Sequence, residues 1–103
     1  MHHELKCWPI FFERIRANEK LFEVRVNDRG FQSGDQLSLL EYDPANGTYS
    51  GRQMGATVGY LMTPQVARGL QADYCVFALL NVFISDKIEP VPTQVKPSEE
   101  IPF

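Results

Sequence analysis

Apolar and polar residues alternate in two rhythms along the first 84 residues of this chain. From Trp8 onward, Trp8, Phe11, Phe12 and Ile15 fall at i, i+3, i+4 and i+7, the single stripe of an amphipathic helix, with Glu13, Arg14 and Arg16 on the other side. Pro9 suits the first turn of that helix, where its missing N–H is no loss. Asn18 predicts the end, because asparagine tolerates the left-handed conformation of a C-terminal cap. Leu5-Lys6-Cys7, ahead of the helix, is a short strand candidate. Behind it, Phe22-Glu23-Val24-Arg25-Val26 switches to period two, so Phe22, Val24 and Val26 point one way and Glu23 and Arg25 the other. Burial of the apolar side predicts a rigid platform that holds the two charges in a fixed orientation.

Asn27-Asp28-Arg29-Gly30 breaks the pattern, and Ser33-Gly34-Asp35 makes a turn. Gln36 to Tyr42 reads as the next strand. Asp43-Pro44-Ala45-Asn46-Gly47 is a hairpin connection with Asn-Gly at its tip. The returning strand runs from about Arg52 to Leu61, with Gly55 and Gly59 signalling a bulge or sharp curvature. Thr63-Pro64 opens a short helix or irregular crossover ending near Gly69. Tyr74 to Ile84 is almost wholly apolar and rich in Val and Phe, which predicts a strand buried on both faces. Residues 85–103 differ in kind, since Pro90, Pro92, Pro97 and Pro102 lie there among scattered Ile88, Val91, Val95, Ile101 and Phe103. The expected organisation is one domain over 1–84 and a Pro-rich, extended or disordered tail over 85–103, or a tail packed on a neighbouring chain through Ile101 and Phe103. The order β-α-β-β-β-β predicts a small α+β barrel with one helix after the first strand.

Composition narrows the function classes. Ten Lys and Arg against thirteen Asp and Glu give a net charge of −3, which does not fit a protein held on long duplex DNA by bulk positive charge. Any nucleotide or RNA contact then rests on a local site. No apolar run reaches the roughly 18–20 residues of a membrane span, and Met1-His2-His3-Glu4 does not open a signal peptide. A soluble, cytoplasmic protein is expected. Cys7 and Cys75 form neither a metal spacing nor a disulfide framework, and both read as buried. His2 and His3 lack a third ligand, so no metal and no cofactor is implied and both read as surface residues.

The densest polar cluster is Lys20, Glu23, Arg25, Asn27, Asp28 and Arg29. Arg25 offers a planar fork for phosphate or carboxylate. Glu23 can accept from a base amino group or act as a general base, and Lys20 can hold an anion. The structural alternative is a surface salt-bridge ladder of Glu23, Arg25, Arg52 and Glu41 on neighbouring strands, each pair worth only ~0–1 kcal/mol. Tyr42, Tyr49 and Tyr60 are stacking candidates if exposed, while Trp8, Phe11 and Phe12 read as helix core.

A set of ordered pieces carries a family resemblance: His3-Glu4-Leu5-Lys6, Lys20 to Arg25, Asn27-Asp28-Arg29, Phe31 to Asp35, Glu41-Tyr42-Asp43 and Thr48 to Arg52. Over residues 2–84 the chain resembles a small bacterial and phage branch of the ASCH domains in the PUA-like superfamily. The resemblance implies a PUA-like β-barrel with a helix beside a cleft that binds RNA or a nucleotide-like ligand. Its Gly-x-Lys-x-x-Glu-x-Arg motif lines that cleft; here Lys20, Glu23 and Arg25 match it, and Asn18 stands for the glycine. One ASCH branch is similar to amidohydrolases acting on N4-acetylcytidine, with a threonine three residues after the lysine. Glu23 occupies that place, so the nucleophile is missing, and only a mechanism with Glu23 activating water beside Lys20 stays open. ASCH ribonucleases find no catalytic histidine pair here. The expected function is an RNA- or nucleotide-binding module with Lys20, Glu23, Arg25, Asn27, Arg29 and Arg52 at the ligand. The alternatives are a small hydrolase of acylated nucleosides using Lys20 and Glu23, or a protein-interaction factor contacting through the tail or an edge strand.

Overall fold

The computed structural model describes residues 1–85, so the expectation for the tail lies outside the described residues. The elements run β1 (His2–Cys7), α1 (Pro9–Arg16), β2 (Phe22–Val26), β3 (Gln36–Asp43), β4 (Thr48–Met62) and β5 (Tyr74–Ser85). The class is α+β. The strands form one curled sheet, half a barrel, in the order β1-β3-β4-β5-β2. β1 lies parallel to β3 and the other pairs are antiparallel. Among the described residues no backbone ladder joins β1 to β2, so the sheet spans half of the expected barrel. No helix among them is long and apolar enough to cross a membrane.

The sequence signals act where their chemistry predicts. Trp8 is the N-cap without a side-chain cap bond, and Pro9 sits in the first turn of α1. Asn18 adopts φ 64°; its N–H reaches the Ile15 carbonyl at 3.0 Å and the Glu19 N–H reaches Arg14 at 2.9 Å. This is the paired-bond helix terminator, and it turns the chain back so that Lys20 re-enters the fold. Gly34 at φ 95° gives the turn before β3 a backbone that L side chains rarely adopt. Phe12 and Ile15 of the helical stripe are buried, and join Leu5, Leu39, Met54 and Phe77 in the core.

Several expectations are corrected. β1 starts at His2, because the chain pairs with β3 from the His2–Gln36 register onward. β4 starts at Thr48, not Arg52, because an irregularity absorbs Ser50 and Gly51 while Tyr49 already pairs with Tyr42. β5 is not buried on both faces: Cys75, Phe77 and Leu79 point inward, whereas Leu80 and Phe83 are exposed. Half a barrel covers only its concave side, which explains the difference. His3 is not a surface residue; it is buried, and its Nε2 donates to Asp35 at 2.9 Å. The largest correction concerns β2. Glu23 and Arg25 are 0% and 1% exposed, while Phe22 on the opposite face is 47% exposed. The strand shares its faces as its period dictates, but the charged face is the inner one.

Candidate functional site

The inverted strand builds a buried ionic cluster. Lys20 donates to Oε1 of Glu23, and Arg25 Nε donates to Oε2 at 2.8 Å. Both carboxylate oxygens therefore face a cation, the arrangement a buried charge requires. Arg25 reaches further: its Nη2 donates to the Lys6 carbonyl at 2.6 Å. Arg29 does the same to the Glu4 carbonyl at 2.6 Å. Glu4 and Lys6 are two apart, so their carbonyls leave the same edge of β1. Among the described residues that edge has no strand partner. Two guanidinium groups thus bridge the seam between β1 and the β2 side, in the place a backbone ladder would take.

A second network lies at the helix. Arg52 engages Glu41 with a planar fork, Nε to Oε1 at 2.9 Å and Nη2 to Oε2 at 2.8 Å, and also meets Glu13 of α1 at 2.8 Å. The Ser50-Gly51 irregularity makes this possible, for Ser50 Oγ accepts the Arg52 N–H and donates to Glu41. The Arg52 hydrogen bonds hold the Glu41 carboxyl below its ordinary range against the opposing effect of burial, with Ser50 assisting. Arg52 also stacks over Phe12, its guanidinium 4.8 Å from the ring centroid. Cys7 feels both networks. Burial pushes its thiol up to about 12, Glu23 and Glu41 add to the rise, and Arg25 and Lys20 oppose it. A thiol held protonated in this way is a core group rather than a nucleophile.

The six residues expected at a ligand therefore divide. Lys20, Glu23 and Arg25 come together. Arg29 goes to the β1 edge, Arg52 to the helix network, and Asn27 to the far end of β2. There the Asn27 side chain accepts the Phe31 N–H at 3.0 Å. Asn27 also lines an open hollow of about 570 Å³ with Asp28, Thr63, Gln65, Asp73 and Tyr74. That hollow is lined by no lysine or arginine, and two aspartates disfavour an anion. The smaller one beside the cluster carries two cations, Lys20 and Arg14, with Glu19 paired to Arg14 at 3.3 Å. Phe11, Arg14, Glu19, Lys20 and Phe22 line about 470 Å³ of space. The Lys20 ammonium lies 5.6 Å from the Phe11 centroid and 5.3 Å from that of Phe22. Trp8 stacks behind Phe11 at 6.2 Å.

Phe11, Arg14, Glu19 and Phe22 are the lining residues that the pattern missed. Their signal was present in the aromatic residues either side of Lys20, but a helical stripe and an apolar strand face gave each a structural role already. The surface ladder foreseen for Glu23, Arg25, Arg52 and Glu41 resolves into two separate networks, one of them fully buried. Tyr42 and Tyr49 stack edge-to-face on each other at 4.9 Å, with the Lys6 ammonium 4.3 Å from the Tyr42 centroid. Among the described residues no group of His, Cys, Asp or Glu is placed to hold a metal ion.

A family model described as a domain of unknown function, DUF3850, matches residues 2–79. The chain belongs to the DUF3850 family. The match spans β1 to β4, the helix and the first half of β5, so the buried cluster, both seam-bridging arginines and the Lys20 hollow all fall within the family's domain. No curated protein matches the chain.

Proposed function

We propose that this DUF3850 domain is a binding module for a nucleotide or a short single-stranded RNA segment, and that the hollow over Lys20 receives one base. The observation that carries the reading is the ammonium of Lys20, fixed by a buried carboxylate at the base of a space flanked by two aromatic rings. A base stacks on Phe11 or Phe22, an arrangement tolerant of sequence. Lys20 and Arg14 meet a phosphate or a base carbonyl. Glu23 and Arg25 are positioning residues, since they hold Lys20 and the seam rather than face the ligand. The resemblance to ASCH domains, with their PUA-like barrel and Lys-x-x-Glu-x-Arg motif, points the same way, and a cytoplasmic location fits an RNA ligand. The negative net charge favours a short segment over a long duplex.

Hydrolysis is the weaker reading. A general base needs a lone pair near the substrate, whereas both oxygens of Glu23 are engaged and the residue is 0% exposed. A protein-interaction role would leave the hollow empty. Titration of nucleosides, nucleotides and short RNAs, followed by amide chemical shifts, tests the proposal. Shifts are expected at Phe11, Arg14, Lys20 and Phe22, with at least tenfold weaker binding when Lys20→Met is made together with Glu23→Leu and Arg25→Met, which strands no buried charge. No movement among these amides at millimolar ligand would reject it.

A further inference from the structure

The inversion of β2 leaves an apolar surface on the outside of the half-barrel. Directly paired residues of neighbouring strands share a face, so the register assigns its members. Phe22 pairs with Ala78, Val24 with Val76 and Val26 with Tyr74 across β2 and β5. Met62 pairs with Val76, Thr57 with Leu80 and Gly55 with Phe83 across β4 and β5. None of these positions is charged. The charges of the same strands, Glu23, Arg25 and Arg52, all go to the ionic networks on the other side. Two glycines shape the surface. An added Cβ at Gly55 would overlap the Phe83 ring, and one at Gly59 would press on Leu80 and Ala78. Asn81, at φ 52°, is the extra residue that keeps Leu80 and Phe83 both outward.

We infer that this face is a self-association surface, and that a second copy of the chain covers it. Charge selects the occupant. Under a twofold axis each patch meets itself, and a face without charges does so with no like-charge repulsion. Among the described residues a nucleic acid finds no cation there. Area agrees. Tyr60, two before Met62 on β4, stands on Met62's side, and Phe22, Tyr60, Leu80 and Phe83 are 47%, 71%, 47% and 63% exposed. At about 200 Å² for an aromatic side chain, they offer roughly 400 Å² per protomer. Two protomers, with the half-buried Val24, Val26, Val76 and Met62 added, approach the ~1,200 Å² of a small specific interface. The two faces then pack as aligned sheets. This surface lies outside the Lys20 hollow except at Phe22, which borders both.

Sedimentation equilibrium of the full chain across a wide concentration range tests the inference. The mass is expected to rise from 11.8 kDa toward twice that value by high micromolar concentration. Leu80→Glu and Tyr60→Glu, both at exposed positions, are expected to raise the dimer dissociation constant at least tenfold while leaving amide dispersion and nucleotide titrations unchanged. A chain that stays monomeric throughout overturns the proposal, including the case where nuclear Overhauser contacts show residues 86–103 on the face instead. A dimer indifferent to both variants overturns it as well, since another surface then makes the contact. Weaker nucleotide binding in Arg14→Ala, at an exposed position lining the hollow, with dimerisation intact separates this test from that of the hollow.

Discussion

Two ionic networks built from the same residue types reach Cys7 with their fields, and they differ in where water stands. In the seam network, Glu23 and Arg25 are 0% and 1% exposed on their side chains and Lys20 is 7%. In the helix network, Glu41 is 7% exposed but Arg52 is 38% and Glu13 51%. Solvent screens the second and not the first. Each pair in the helix network therefore belongs near the upper end of surface salt bridges, about 1 kcal/mol. The seam network has a large desolvation penalty, offset by complete pairing, so its net contribution is small although the loss of any one member is severe. It also does something the helix network does not, which is to supply donors to the unpaired edge of β1. Closing the half-barrel through side chains leaves a charged interior, and with it a fixed ammonium at the mouth.

The contrast can be broken most forcefully at Glu23. Glu23→Gln leaves two buried cations without a counter-charge and is expected to destabilise by about 3–5 kcal/mol, read as a lower denaturant midpoint at unchanged m-value. A loss under about 1 kcal/mol would show that water reaches the seam. The triple change Lys20→Met, Glu23→Leu and Arg25→Met removes the whole cluster together. It is expected to stay within about 2 kcal/mol of the parent, because no charge is stranded, while nucleotide binding disappears. A triple variant as unstable as Glu23→Gln would mean that the Arg25 bond to the Lys6 carbonyl holds the seam on its own.

Acid sharpens the comparison with a third carboxylate at the start of β3. Asp35 is lowered from 3.8 to about 2, first by the His3 hydrogen bond and then by the Gln32 N–H and the terminal amine. A carboxylate whose folded pKa is depressed stabilises the fold above its unfolded pKa. It loses that contribution as pH falls toward the folded value. For Asp35 this window lies between about pH 4 and pH 2, and Glu41, lowered from 4.5, begins to contribute to the loss slightly higher. Denaturant midpoints should fall through this range, and Asp35→Asn should flatten the decline. A smaller effect than at Glu23 is expected from Arg52→Ala, about 2 kcal/mol for its two pairs, shrinking in high salt. An equal loss at low and high salt would place Arg52 in the same class as Arg25.

Much of this was legible without coordinates. The helical stripe, Pro9, Asn18 and the Phe22–Val26 alternation act locally, and local sterics gave them away. Gly34 and the Asn46-Gly47 hairpin belong with them, since a positive φ has few residue solutions. The company of Glu23 and Arg25 was legible too, because side chains two apart on a strand must share a face, and Lys20 was grouped with them through the Lys-x-x-Glu-x-Arg motif. Arg29 and Arg52 were not separable from it by pattern. Their partners, the Glu4 carbonyl and the Glu41 carboxylate, lie 25 and 11 residues away in the chain. His3 was missed for the same reason, because Asp35 is 32 positions distant.

Period two told which residues of β2 stand together, since that follows from backbone geometry alone. It did not tell which side faces the core. Hydrophobicity argued for Phe22, Val24 and Val26, and the fold chose Glu23 and Arg25, because β1 presents an edge of carbonyls that no strand among the described residues satisfies. Only the meeting of β1 with the end of the sheet creates that demand for donors. The sequence by itself determined the elements, most of their turns and which side chains of a strand stand together; the assembled sheet decided the long-range partners, the inside and the outside.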